Sequence, residues 1–436
     1  MASVADILGI VPEFNRLDPF SQNEVCRATE SRLSLLAWKL RASPYQPVQD
    51  QAHSPNVNTD LLQATLRWLQ SIPQQHRLGA LVALLSTIYI TRAELDALMD
   101  DAAEQFAEYV FHLEKEPINW SWPLSTDARA RVKPFAVSGH DAYDRLVHRL
   151  QLTGSVSSSP THDRATLSAS LYPIITSLAH LAEFGSAYIY FEAARKPIKD
   201  VAEGWLGNYL LLVEDCSFSG TTISSDLTRL IGVLRALYSN HVKVLTRKRK
   251  SPPRVAVLIG FATKQAVDRI LKTVWDIDKQ LSVPVFCGIV ERDARLDQRL
   301  PAALDTLCRH LSTVRDPHVA LREAVDDYAS YFRVYLEQTG MLARHPQAAS
   351  WRWGFKDGGF AVVTYLNAPN NDLPLLWCPP PRPGGPNLRP LFPRVESRVD
   401  HDRSAADNMD TLLQAALSDK NGHIQRLLDE VYGGLS

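Results

Sequence analysis

The sequence predicts an α/β protein built on a mostly parallel, doubly wound sheet, with a helical N-terminal region and a strand-containing C-terminal extension. Three observations predict it. Short, largely apolar runs at Leu210–Val213, Arg254–Phe261 and Val283–Val290 read as strands buried on both faces. Segments of helical periodicity alternate with these runs. The first run ends in two adjacent acids, a short loop with one glycine, and the start of a helix.

Length and composition set the outer bounds. A chain of 436 residues is expected to form more than one domain, and 45% hydrophobic residues suffice for a full core. The formal net charge of -1 provides no basic field, which makes a nucleic-acid partner unlikely. Cys26, Cys216, Cys287, Cys308 and Cys378 are scattered without a C-x-x-C pair. That argues for reduced thiols and a cytoplasmic protein, and against a disulfide framework or zinc site. No basic segment followed by an apolar core opens the sequence, and the longest apolar stretch, Leu78–Ile90, is too short to span a membrane.

Residues 1–130 read as a helical domain. Leu61, Leu62, Leu66 and Leu69 form one stripe, ended near Pro73. Leu78, Leu81, Val82 and Leu85 form another. Thr91 and Glu94 have capping-box spacing ahead of Leu95, Leu98 and Met99. A break follows at Pro117–Pro123. This part shows no catalytic constellation, so binding of a partner protein or homo-oligomerisation is its expected role.

Residues 135–315 form the expected core. Tyr172–Glu183 reads as a helix, Ala187–Phe191 as a strand, and Ala266–Trp275 as the helix between the last two strands. Residues 317–400 form an extension. There Lys356-Asp357-Gly358-Gly359 is a turn before a strand at Phe360–Tyr365, and Asn370 and Asn371 lie in a polar loop before Leu373–Trp377. Residues 401–436 read as a C-terminal amphipathic helix.

The stretch Leu210–Thr222 (L-L-L-V-E-D-C-S-F-S-G-T-T) carries the chemistry. Unpaired N–H groups and a positive dipole end make the start of a helix after a strand a natural phosphate site. Gly220 lets the backbone approach an anion closely. Ser219, Thr221 and Thr222 add hydroxyl donors. Glu214 and Asp215 are suited to accepting hydrogen bonds from sugar hydroxyls. A capped helix with two surface acids would be the plain alternative, but it does not account for acids placed directly before such a loop.

This stretch resembles the signature of the type I phosphoribosyltransferases, an apolar strand, two acids and a loop ending in G-[ST]-[ST]. Cys216, Ser217 and Phe218 depart from the usual inner loop. Upstream, Arg195–Gly207 (R-K-P-I-K-D-V-A-E-G-W-L-G) resembles the flexible loop of the orotate-type enzymes, R-K-x-x-K-D-x-x-E-G. Val201 stands where that family often has histidine. The family's pyrophosphate loop would fall within Ala165–Ser170. The tail N-x-P-N-N-x-L-P-x-x-W, at Asn367–Trp377, is similar to that of the PRTase-CE family of bacterial conflict and antiviral defence systems, a likeness covering residues 60–394.

The resemblance implies a phosphoribosyltransferase-like fold in which the C-terminal extension forms a hood over the site. It implies phosphoribosyl transfer at C1 of a ribose 5-phosphate unit, with phosphoribosyl pyrophosphate and Mg, in a defence effector. Asp215, Glu214 and Lys199 are the implied catalytic residues. Ser217, Ser219, Gly220, Thr221, Thr222, Arg195, Lys196, Asn370 and Asn371 are the implied ligand-binding residues; Trp377 and the asparagines either form a hood over the base or only pack the sheet edge. The metal would arrive with the pyrophosphate, without direct protein ligation. A hydrolase that cleaves a nucleotide N-glycosidic bond, and an inactive nucleotide-binding sensor, remain open alternatives.

Overall fold

The computed structural model describes residues 2–46, 56–114, 124, 126–137, 140–150, 167–184, 191–279, 281–292, 295–338, 340–344, 346–354, 358–366, 373–378, 390–393, 403–420 and 422–433. In chain order the elements that matter here are α1 (Leu61–Ser71), β1 (Ile88–Ile90), α2 (Arg92–Glu114), β2 (Val132–Ala136), α3 (His140–Arg149), α4 (Leu167–Phe184) and α5 (Phe191–Gly204). There follow β3 (Tyr209–Ser217), α6 (Thr221–Tyr238), β4 (Arg254–Thr263), α7 (Lys264–Ile277), β5 (Val285–Glu291), α8 (Pro317–Gln338), β6 (Val362–Thr364), α9 (Arg403–Ser418) and α10 (His423–Gly433).

Two compact units are each assembled from two stretches of sequence. Residues 1–94 join 292–396, and residues 95–291 join 397–436. The contacts therefore group the chain differently from a linear division into four parts. The expected C-terminal helix, here α9 and α10, belongs with the sheet, whereas 292–315 does not.

The larger sheet has the order β2-β3-β4-β5, with every neighbour parallel. Its strand sequences explain its burial. Leu210 and Leu212 of β3, with Val255, Val257 and Ile259 of β4, face a core shared with α4, α5, α6, α7, α9 and α10. Tyr209, Leu211, Val213, Ala256 and Leu258 face the other side, against α2 and α3. Helices thus cover both faces, as an all-parallel sheet requires. The strand order, however, is sequential, without a reversal among the described strands. The strand expected at Ala187–Phe191 lies outside the described residues, apart from Phe191, which opens α5.

α2 sits close on the sheet because two glycines permit it. A Cβ at Gly288 would collide with the Leu98 carbonyl oxygen, and one at Gly260 would lie 2.9 Å from Met99 Sδ. The smaller unit holds β1 and β6 as a parallel pair, with Ile88 beside Val362 and Ile90 beside Thr364. The expected strand at Phe360–Tyr365 is thereby found in shortened form. The capping box also forms, with Thr91 N–H donating to Glu94 Oε2 at 2.9 Å and Glu94 N–H to Thr91 Oγ1 at 3.2 Å.

Candidate functional site

β2 ends at Ala136, opposite Val213, but β3 continues through Glu214 and Asp215 to Ser217. Along this extra length, among the described residues, β3 is paired with β4 alone, through Glu214–Ile259, Cys216–Phe261 and Ser217–Ala262. A step is left at the carboxyl edge of the sheet, where open α/β sheets place their ligands. The sequence predicted that the strand ends before the acids. Instead it includes them, and strand alternation puts Glu214 on the Leu212 face and Asp215 on the Val213 face. Both side chains are buried, at 7% and 8% exposure, and Ser217 is buried with them.

The loop between β3 and α6 is only Phe218, Ser219 and Gly220. Gly220 takes the left-handed conformation, φ +67°, as the N-cap of α6. That φ turns the chain into the helix without steric penalty for glycine alone. A Cβ there would also lie 2.6 Å from the Ala266 carbonyl oxygen in the first turn of α7. The loop is held on that helix by a second tie, the Thr263 hydroxyl donating to the Phe218 carbonyl at 2.5 Å. Thr263 also caps α7, accepting from Ala266 N–H at 3.1 Å.

At the mouth of the loop, Ser219 Oγ and Thr221 Oγ1 lie 3.1 Å apart, and Arg269 donates from Nη1 to Thr221 Oγ1 at 2.6 Å. Thr222 is exposed. The junction therefore offers backbone and hydroxyl donors at the positive end of an 18-residue helix, with two carboxylates just behind them. All the side-chain donors and acceptors of the expected set at this junction are oxygens, which suits a sugar phosphate or a hard cation accompanying one.

The structure thus brings together Glu214, Asp215, Ser217, Ser219, Gly220, Thr221 and Thr222. It does not bring Arg195 there, since that guanidinium pairs with Glu430 of α10. Lys196 and Lys199 are exposed on the same helix and make no hydrogen bond to the junction among the described residues. The expected flexible loop around them is α5. The reason is packing, because Ile198, Ala202 and Trp205 recur at helical spacing and are buried in the core. Val201, at the position of the family's histidine, is partly buried against the same core.

The segment expected to hold the pyrophosphate loop is described only from Leu167, where it is the first turn of α4. There the Ser168 hydroxyl donates to Asp226 of α6 at 2.9 Å. Burial pushes the Asp226 carboxyl up to about 6, against the lowering effects of Ser168 and Arg229. Asn370 and Asn371 lie outside the described residues. Trp377 is 1% exposed and packs edge-on against Phe332 and Tyr335, at 5.9 and 5.4 Å. Its ring is core, which fits the packing alternative for the tail rather than stacking on a base.

Arg269 and Thr263 escaped the sequence reading. The available clue was topological. Helices that follow adjacent parallel strands lie side by side, so a cation in the first two turns of α7 falls near the start of α6.

No curated protein and no solved structure matches the chain significantly. The PRTase-CE family model matches residues 65–394. That match spans most of the sequence and contains the whole β3–α6 junction, and on it the chain belongs to the PRTase-CE family.

Proposed function

We propose that the β3–α6 junction binds a ribose 5-phosphate unit and supports phosphoribosyl transfer at its C1. The observation that carries this reading is the pair of buried acids on an overhanging parallel strand, directly ahead of a left-handed glycine and a helix N-terminus. Backbone donors at Ser219–Thr222, with the Ser219, Thr221 and Thr222 hydroxyls, hold the 5-phosphate, and Ser217 lines its inner side. A sugar lying across the carboxyl edge meets both faces of β3, so Glu214 and Asp215 accept from its hydroxyls from opposite sides.

In the transfer, the bond from C1 to the pyrophosphate oxygen breaks and a bond from C1 to the acceptor base forms. The sugar passes through an oxocarbenium-like state, by analogy with glycoside chemistry. Hydroxyls fixed by two carboxylates share that developing positive charge. Magnesium, carried in on the pyrophosphate, would neutralise the leaving group. Arg195, Lys196 and Lys199 assist in that task when α5 approaches the junction. Family resemblance supports a cytoplasmic role as a defence effector, and no described helix is long and apolar enough to cross a membrane.

The test is calorimetric binding of magnesium phosphoribosyl pyrophosphate to wild type and Asp215→Asn. Binding that is lost in the variant supports the assignment. Equal binding or equal activity in the two removes it.

One observation favours a second reading. The segment that resembles a mobile lid is a helix with Ile198 and Ala202 fully buried. A packed helix at that position suits a nucleotide hydrolase or a nucleotide-binding sensor. Nucleotide loss without added phosphoribosyl pyrophosphate identifies the first, and nucleotide binding without turnover the second.

A further inference from the structure

We propose that Arg269 reads the charge of the ligand's 5-phosphate and selects a terminal phosphate monoester over a phosphodiester. The proposal rests on the ribose 5-phosphate reading of the junction and narrows its substrate class.

The first argument is position. α7 forms one wall of the loop, through Gly220 against Ala266 and through Thr263 on the Phe218 carbonyl. From the second turn of that wall, Arg269 reaches back to Thr221, the first residue of α6. Its guanidinium therefore sits at the entrance to the phosphate loop.

The second argument is charge. Among the described residues, no carboxylate lies within ion-pair distance of Arg269. The adjacent Asp268 is engaged by Lys264 at 2.8 Å. Meanwhile Arg269 stands at the end of α6 that already carries about half a positive charge, where a cation is unfavourable and an anion is welcome. Two positive sources converge on one loop, with Glu214 and Asp215 behind it on β3, and together they favour an anion of more than one charge at the loop mouth.

The third argument is hydrogen bonding. Arg269 donates from Nη1 to Thr221 Oγ1, which itself lies 3.1 Å from Ser219 Oγ. A guanidinium has five N–H donors, and this contact uses one. The remaining fork suits two oxygens of one phosphate. One turn further on, Ser224 donates its backbone N–H to the Gly220 carbonyl at 3.0 Å. Its Oγ is buried without a hydrogen-bond partner among the described residues. Helical side chains lean toward the preceding turn, which for Ser224 is the turn that begins at Gly220 and Thr221.

A phosphate monoester has three free oxygens and nearly two charges at neutral pH, whereas a diester has two free oxygens and one charge. The loop N–H groups, the hydroxyls and the Arg269 fork match the former. Phosphoribosyl pyrophosphate and nucleoside monophosphates carry such a 5-phosphate. Dinucleotides and nucleic-acid strands carry a diester there.

The experiment compares ribose 5-phosphate with ribose 5-(methyl phosphate) by calorimetry on the full chain, as wild type, Arg269→Gln and Arg269→Lys. Wild type is expected to prefer the monoester. Arg269→Gln is expected to lower monoester affinity about 10- to 100-fold, as for a lost charged hydrogen bond, and to abolish the preference. Arg269→Lys is expected to recover part of it, with all three proteins melting together. An Arg269→Gln variant that keeps the preference, or weakens both ligands equally, overturns the proposal and leaves the ribose 5-phosphate site standing. A wild type that binds neither probe overturns the site and the proposal with it.

Discussion

Replacing Gly220 with alanine is expected to destabilise the sheet unit by about 2–5 kcal/mol, and the size follows from two separate contributions. The first is conformational. At φ +67° a non-glycine residue is in the left-handed region, which costs about 1–2 kcal/mol. The second is contact. The new Cβ lies 2.6 Å from the Ala266 carbonyl oxygen, 3.0 Å from its Cα and 3.2 Å from its carbonyl carbon. All three are backbone atoms of α7, a helix anchored by buried Ile270 and Val274, so neither partner yields easily. Forced overpacking of this kind costs about 1–3 kcal/mol. For a unit of this size the total corresponds to a fall in Tm of roughly 5–15 °C. Gly207→Ala is the matched control, since Gly207 has φ +72° but an added Cβ there would meet nothing within 4 Å. It should show the conformational cost alone. Thermal and urea unfolding followed by circular dichroism read both variants. If Gly220→Ala costs no more than Gly207→Ala, the loop is not clamped on α7 and the reasoning fails.

Two further perturbations probe groups away from the loop. Because burial raises Asp226 from an ordinary 3.8 to about 6, the native state holds a proton that the unfolded chain releases between those values. Its contribution to stability therefore falls as pH rises through that window. Asp226→Asn, which can still accept from Ser168, is expected to gain stability relative to wild type between pH 4 and pH 6 in urea titrations. Parallel curves for the two proteins would contradict the burial argument. Trp377→Ala is expected to cost about 3–5 kcal/mol in the smaller unit, as for other fully buried aromatics. A variant of unchanged stability but weakened nucleotide affinity would restore base stacking as the role of this ring.

The residues of the β3–α6 junction were legible because their chemistry is local. Two acids, a glycine and two threonines lie within nine positions of one another, and the strand and helix on either side declare themselves by apolar pattern alone. The strand's extension through the acids was not legible. It depends on pairing with Phe261 and Ala262 of β4, more than forty residues away. β2 was missed for a related reason. Val132–Ala136 includes Pro134, which reads against a strand, yet among the described residues β2 pairs with β3 alone, and proline is tolerated on an edge. β1 was hidden inside the apolar run Leu78–Ile90, and its partner β6 lies near residue 363.

α5 is the instructive difference. Its charged positions follow the flexible-loop motif, whereas Ile198 and Ala202, with Trp205 directly after its end, follow the helical repeat. The charges could be solvated in either conformation, so they do not decide the backbone. Burying the apolar residues does, since each large side chain contributes about 1.5–3 kcal/mol. Arg195 then gains a carboxylate at Glu430, an exposed pair that adds little to the balance. The consequence reaches the chemistry. A loop can close by changing a few backbone dihedrals, but α5 cannot unwind without exposing Ile198 and Trp205 to water. If Arg195 and Lys199 neutralise a leaving pyrophosphate in this chain, they must reach it by displacement of the whole helix against α10, with the Arg195–Glu430 pair broken as it moves.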